Sequence, residues 1–181
     1  MNILITGFNP FDGRAENMSL EVLKALNDVE TLPLDVLFKT AFKSLEKHLK
    51  QHHYDYIICL GEGPNQVINL EHIALNIMHA RIPDNATYQP LNEIIHPHGA
   101  LALSSSLPIH MISEHLTNSN HLFNNSFHAG TYVCNDIFYR LMDLNISTPR
   151  GFIHVPHDKQ YLDESIKAIQ AIIDFLKQKK D

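Results

Sequence analysis

"HAGTYVCNDIFYRL" (128–141) carries one of the chain's two cysteines, and "GFIHVP" (151–156) carries a histidine just before a proline. A thiol and an imidazole are the pair that acyl chemistry uses, the thiolate attacking and the imidazole taking and returning a proton. His-Ala-Gly-Thr shows no apolar periodicity, and Gly130 frees the backbone there. From Val133 onward, Ile137, Phe138, Leu141 and Met142 fall on one helical face. Cys134 is therefore expected in the first turn of a helix. There, unpaired backbone N–H groups and the positive end of the helix dipole favour a thiolate. The same N–H groups suit an oxyanion on an acyl carbon. His154 is expected at the end of a strand stopped by Pro156. If the strand before Cys134 runs parallel to it, the two side chains reach one sheet edge. Spacing alone leaves Cys134 evenly divided between core thiol and nucleophile, whereas Cys59, inside "YIICLG", reads as core.

The elements that must position these residues alternate along the chain. Strands are expected over 2–8, 34–40, 55–61, 121–127 and 151–156. Helices are expected over 19–27, over 41–53, from Pro108 with Ile109, Ile112 and Leu116 on one face, from Val133, and over 163–180. The stretch 67–98 reads as a strand pair or hairpin followed by loop. Such alternation predicts an α/β fold, a largely parallel sheet covered by helices on both faces, with 67–98 free to run antiparallel. With no linker, repeat or low-complexity stretch, residues 1–181 read as one domain.

The bulk chemistry excludes several classes. A formal net charge of −6 with scattered charges does not fit a nucleic-acid binder, which needs clustered cations. The basic run Lys177–Lys180 reads as a solvated helix end. No apolar run approaches a membrane span. "MNILITGF" reads as a buried strand without a basic leader, so a cytoplasmic setting is expected. Two cysteines there do not suggest a disulfide framework. The 13 histidines raise the question of a metal, but His52-His53 on a polar helix end and His96-Pro97-His98 in a loop lack convergent further ligands, so none is expected.

Five stretches, in order, carry a resemblance. "ITGFNPFDG" is similar to TGF-x-PF-x-G, "LEHIALNI" to an ERVAINI-like segment, and "ARIPDNATYQP" to ARIPDN-x-x-x-QP. With "AGTYVCN" and "GFIHVP", they resemble pyroglutamyl-peptidase type I, the pyrrolidone-carboxylate peptidase family of cysteine peptidases, from Met1 to about His157. The resemblance implies a three-layer α/β/α sandwich with a mixed, largely parallel sheet. It implies Cys134 as nucleophile, His154 as general base and acid, and Glu71 as the acid completing the triad, a residue that sequence alone reads as a solvent-facing strand carboxylate. It places Arg81 near the catalytic centre in an oxyanion or electrostatic role. Phe8 and Phe11 become walls of a lactam pocket, with Tyr132 and Val133 completing them and Asn17 holding the loop. The implied reaction is hydrolysis of the amide after an N-terminal pyroglutamyl residue, releasing 5-oxoproline through a thioester on Cys134. No cofactor is implied; relatives form dimers or tetramers, for which the Ile109–Leu116 face is one candidate contact and core packing the other.

The chain departs from the family pattern at several positions. "GEGPNQ" stands where GQAGGR is typical, so that Glu62 puts a possible charge beside a neutral ligand; "FDG" replaces FGG, "NMS" replaces NPS, and "PHDKQ" replaces a more apolar segment. These departures keep two alternatives open: a cysteine amidase acting on another small lactam or acyl amide, and a catalytically weak ligand-binding relative.

Overall fold

The computed structural model describes residues 1–178. In chain order the elements are β1 (Ile3–Phe8), α1 (Met18–Ala25), β2 (Glu30–Leu34), α2 (Thr40–Leu49), β3 (Tyr56–Gly63), β4 (Ile68–Glu71), β5 (Ile73–Leu75), β6 (Ala102–Ser104), α3 (Ile109–Asn118), β7 (Phe123–Ser126), α4 (Val133–Met142), β8 (Arg150–Pro156) and α5 (Leu162–Gln178). Six strands form one sheet in the order β2-β1-β3-β8-β4-β7, and β5 pairs with β6 in a small antiparallel ribbon. The first four are mutually parallel; β4 runs antiparallel to β8, and β7 follows β4.

Side-chain alternation along the strands sorts the core into two layers. Leu4, Ile57, Cys59 and Phe152 join α2 and α4 on one face. Ile3, Ile5, Ile58, Leu60, Ile153 and Val155 join α1, α3 and α5 on the other. This is the expected three-layer sandwich, with its mixed, mostly parallel sheet.

Four local expectations need correction. The second strand is not 34–40 but the earlier Glu30–Leu34, which pairs with β1 from Leu4↔Glu30 to Phe8↔Leu34. Pro33 hid it, since a proline is tolerated only because β2 is a sheet edge. Val36 and Phe38 enter the core from a turn instead. The residues of "VINLEHIALNI" are not a hairpin, because β4 belongs to the main sheet and β5 to the ribbon with β6. The strand before Cys134, β7, is antiparallel to β8, so the parallel-strand route to a shared edge does not apply. Of the two readings left open for the Ile109–Leu116 face, core packing holds: Ile109, Ile112 and Leu116 are buried beside α5. Pro108 is the N-cap of α3, one residue outside its expected place. The end of the terminal helix and of the basic run, residues 179–180, lies outside the described residues. Among the described residues no helix is long and apolar enough to cross a membrane.

Candidate active site

The Cys134 helix is anchored at both ends. Gly130, at φ +79, turns the chain into it in a conformation that L side chains rarely adopt. Next to Cys134, the fully buried Asn135 locks the helix start to β5: its Oδ1 accepts the Leu75 N–H at 2.9 Å, and its Nδ2 donates to the carbonyls of Leu75 (2.8 Å) and Ile77 (2.9 Å). Asp136 accepts from the Lys39 N–H at 2.6 Å and from Arg140 Nε at 2.7 Å. At the far end, Arg150 donates to the carbonyls of Leu141, Met142, Leu144, Ile146 and Thr148. One guanidinium thus caps the last turn of α4 and begins β8, the strand that carries His154.

The first turn of α4 keeps its donors. Tyr132, the N-cap, supplies no side-chain cap, and its carbonyl accepts from Asn135 and Asp136. Among the described residues, no acceptor takes the N–H of Val133 or Cys134. Such donors lie at the N-terminal end of the helix, the end that carries Cys134.

The thiol reaches the sheet over a glycine. A Cβ on Gly61 would lie 2.6 Å from Cys134 Sγ and 2.8 Å from Phe152 Cζ, so the close approach exists only because residue 61 has none. Gly61 pairs with His154 in the parallel β3–β8 ladder. Cys134 and His154 therefore meet through this glycine and the return of the 127–132 loop, not through parallel parent strands.

His154 Nδ1 lies 2.8 Å from Glu71 Oε1. Asn69 faces His154 in the antiparallel β4–β8 register and Glu71 faces Phe152, so the carboxylate reaches the imidazole diagonally along one face. Both are buried, Glu71 at 1% exposure. The second carboxylate oxygen, Oε2, has no hydrogen-bond partner among the described residues, so His154 carries the whole compensation for burying Glu71. Burial disfavours the imidazolium, but hydrogen bonding to Cys134 and to Glu71 outweighs it and raises the His154 pKa to about 9. With Nδ1 on Glu71, Nε2 is the ring nitrogen left for the thiol. Cys59 is fully buried, and desolvation pushes its thiol up to about 12, the behaviour of a packing cysteine.

A cavity of about 820 Å³ opens on this edge, and every residue singled out in the sequence lines it: Cys134, His154, Glu71, Arg81, Phe8, Phe11, Asn17, Glu62, Tyr132 and Val133. Their settings differ. Phe8 and Val133 are buried, while Phe11 lies against the Tyr132 ring at 6.1 Å between centroids. Tyr132 donates its hydroxyl to the Pro83 carbonyl at 2.9 Å. Asn17 is the N-cap of α1, its Oδ1 accepting from the Ser19 N–H at 3.0 Å and its Nδ2 donating to the Asn9 carbonyl at 3.3 Å. Arg81 is exposed on the rim, with no side-chain hydrogen bond or ion pair among the described residues. Glu62 does not present an open charge to the cavity: Arg14 grips it at 2.5 and 3.0 Å, and it accepts the Met18 N–H at 2.5 Å.

Sequence reasoning missed Arg14, the sole cation in the 9–17 loop, and His157, whose ring and N–H both bond to the Gly63 carbonyl. Neither pairing follows a local pattern, because each joins residues far apart in sequence. It also missed Glu30 and His48, which with His52 bring potential ligand atoms within 4.8 Å of one another. That cluster lies at the start of β2, and its groups engage each other: His48 Nε2 is 2.7 Å from the Tyr54 hydroxyl and 3.2 Å from Glu30, and the ring stacks on His52.

Comparison with known proteins agrees with the fold. A family profile described as pyroglutamyl peptidase matches residues 1–172. The chain is 36% identical over 180 residues to the pyrrolidone-carboxylate peptidase of Bacillus subtilis (strain 168), covering 92% of this chain and 84% of that one. It is 39% identical over 168 residues to that of Staphylococcus aureus (strain JH9), covering 87% and 79%. Among solved structures it superposes on pyroglutamyl peptidase I of Bacillus amyloliquefaciens with a TM-score of 0.88 at 33% identity, over 94% of each chain. A mutant pyrrolidone carboxyl peptidase of Pyrococcus furiosus gives 0.90 at 28% identity, over the whole of both.

Proposed function

This chain belongs to the pyroglutamyl peptidase family, and on that premise we propose how its cavity performs the family's reaction. The chain is a cysteine exopeptidase that hydrolyses the amide bond after an N-terminal pyroglutamyl residue. Cys134 Sγ, as thiolate, attacks the pyroglutamyl carbonyl carbon, and the electron pair of the C=O moves onto oxygen. The Val133 and Cys134 N–H groups stabilise that oxyanion, with the exposed Arg81 adding positive potential at the rim. As the tetrahedral centre collapses, the C–N bond breaks and His154 Nε2 gives its proton to the leaving amine. The shortened peptide departs and 5-oxoprolyl thioester remains. His154 then takes a proton from water, the hydroxide adds to the thioester, and 5-oxoproline leaves as Cys134 is regenerated. Glu71 accepts from Nδ1–H throughout, fixing the tautomer and supporting the imidazolium.

The observation that carries this reading is the line Glu71–His154–Cys134 at a helix start with unoccupied N–H groups. A His154 pKa of about 9 keeps the leaving group's proton in place at neutral pH. The lactam has no charge to grip, which suits walls of Phe8, Phe11, Tyr132 and Val133. Neutralisation of Glu62 by Arg14 removes the motive for an altered, charge-selecting specificity.

The reading is tested with a pyroglutamyl amide of a fluorescent amine under reducing conditions, beside a prolyl amide. Release from the pyroglutamyl substrate alone, abolished in Cys134→Ser, is the expected result. A folded protein that cleaves neither would overturn it.

A dimer or tetramer is the assembly we assign, supported by the exposed apolar side chains Leu91, Leu101, Leu122 and Phe127. Light scattering on the purified protein would show a monomer if this is wrong. A single folding unit and a cytoplasmic setting complete the reading.

A further inference from the structure

Three of the departures from the family pattern, Glu62, the Asp12 of "FDG" and the Lys159 of "PHDKQ", meet on one loop. Phe11-Asp12-Gly13-Arg14 is a tight turn, its central residues at φ 54 and 69 and the Arg14 N–H donating to the Phe11 carbonyl at 3.1 Å. Two successive positive φ values define a type I′ turn, for which Asp-Gly is a favoured pair. The turn makes Phe11 and Arg14 adjacent: the guanidinium lies 5.9 Å from the centre of the Phe11 ring. Its other contact is Glu62, met by two parallel N–H···O bonds. Alternation along β3 sends Cys59, Gly61 and Gly63 towards α4 and His154, so Glu62 points with Leu60 towards α1, where it also holds the Met18 N–H. The Glu62 side chain is 7% exposed and that of Arg14 37%. A bidentate pair with one partner buried is geometrically demanding and stronger than a freely solvated one. On the other side of the loop Lys159 holds Glu16 at 2.7 and 3.0 Å.

Resting on the peptidase reading, we propose that Arg14 is a positioning residue for substrate affinity: clamped by Glu62, it sets the Phe11 ring against Tyr132 and so fixes the width of the lactam pocket. The contacts form one chain across the mouth, Glu62–Arg14–Phe11–Tyr132, from the end of β3 to the N-cap of α4. Glu62 serves the neutral ligand indirectly, by orienting the wall that packs on it. Arg14 touches no reacting atom, so its loss loosens binding and leaves the thiol and imidazole in place.

The test is steady-state kinetics on the pyroglutamyl amide with Arg14→Ala, Arg14→Lys, Glu62→Gln and the Arg14→Ala/Glu62→Gln double variant, and with Lys167→Ala in an exposed pair elsewhere as control. Arg14→Ala raises KM about three- to tenfold while kcat stays within about twofold. Arg14→Lys restores part of that loss, because it keeps the charge without the fork. Adding Glu62→Gln to Arg14→Ala brings no further rise, since the pair acts as one unit. An unchanged KM in Arg14→Ala, or additive effects in the double variant, would overturn the proposal. A wild-type protein inactive on the amide defeats the peptidase reading instead. The clamp is then judged by iodoacetamide: Arg14→Ala must alkylate at Cys134 faster than wild type, and equal rates would overturn it.

Discussion

Glu71 Oε1 and His154 Nδ1 lie 2.8 Å apart on neighbouring antiparallel strands, separated by 83 positions in sequence. The other carboxylate oxygen has no partner among the described residues, and the thiol of Cys134 acts on the same imidazole. The pair is therefore more than a strand-to-strand tie. A carboxylate buried with half of its acceptor capacity idle is costly to keep, and what it secures is a proton on the ring beside the Cys134 sulfur.

Removing that charge has a signed consequence. Glu71→Gln takes away one of the groups that raise the His154 pKa, so the alkaline limb of kcat/KM, near pH 9 in the wild type, moves to lower pH. The variant also loses tautomer control, and kcat falls by about 10²- to 10⁴-fold. A pH–rate profile checks both, and an unmoved limb would contradict the assignment.

The same proton contributes to stability. The His154 pKa is raised in the folded state from its ordinary 6.5 to about 9, so the native protein holds a proton that the unfolded chain releases. Its stabilisation is complete below about pH 6.5 and is lost as pH rises through about 9. Denaturant midpoints across that window fall for the wild type and fall less for His154→Asn.

Gly61 gives a geometric test of the thiol's seat. In Gly61→Ala the new methyl must displace Cys134 Sγ or the Phe152 ring, both closer than 3.0 Å to it. With the nucleophile moved by a fraction of an ångström to an ångström, kcat drops by about 10²-fold while the circular dichroism spectrum is kept. Full activity would mean that Sγ does not work from this position.

Arg150 tests the scaffold apart from the chemistry. All its guanidinium nitrogens bond to carbonyls between Leu141 and Thr148, and burial works against its charge. Arg150→Met leaves buried carbonyls unpaired at the end of α4, and destabilisation of about 3 kcal/mol follows, read by urea unfolding.

Much of this was legible before the structure. The 3.6-residue spacing from Val133 placed Cys134 in a first helical turn, and the isoleucine-rich run at 57–60 placed an interior strand. The sandwich followed from the alternation of elements. What escaped shares one physical cause, long-range pairing. Glu30–Leu34 carries a proline and few apolar residues, and is a strand only because β1 lies beside it. The direction of β7 depends on β4, and the burial of Glu71 on His154, neither of which leaves a local signal. Glu62 looked like a stray charge because nothing near it in sequence announces Arg14.

The central claim is that Cys134 carries the acyl group. Acid-quenching the enzyme during turnover of a pyroglutamyl amide and weighing the intact and digested protein tests it most directly. One 5-oxoprolyl adduct is expected, confined to the peptide containing Cys134 and removed by hydroxylamine. Release of the amine with no adduct on Cys134, or with the adduct on Cys59, would contradict it.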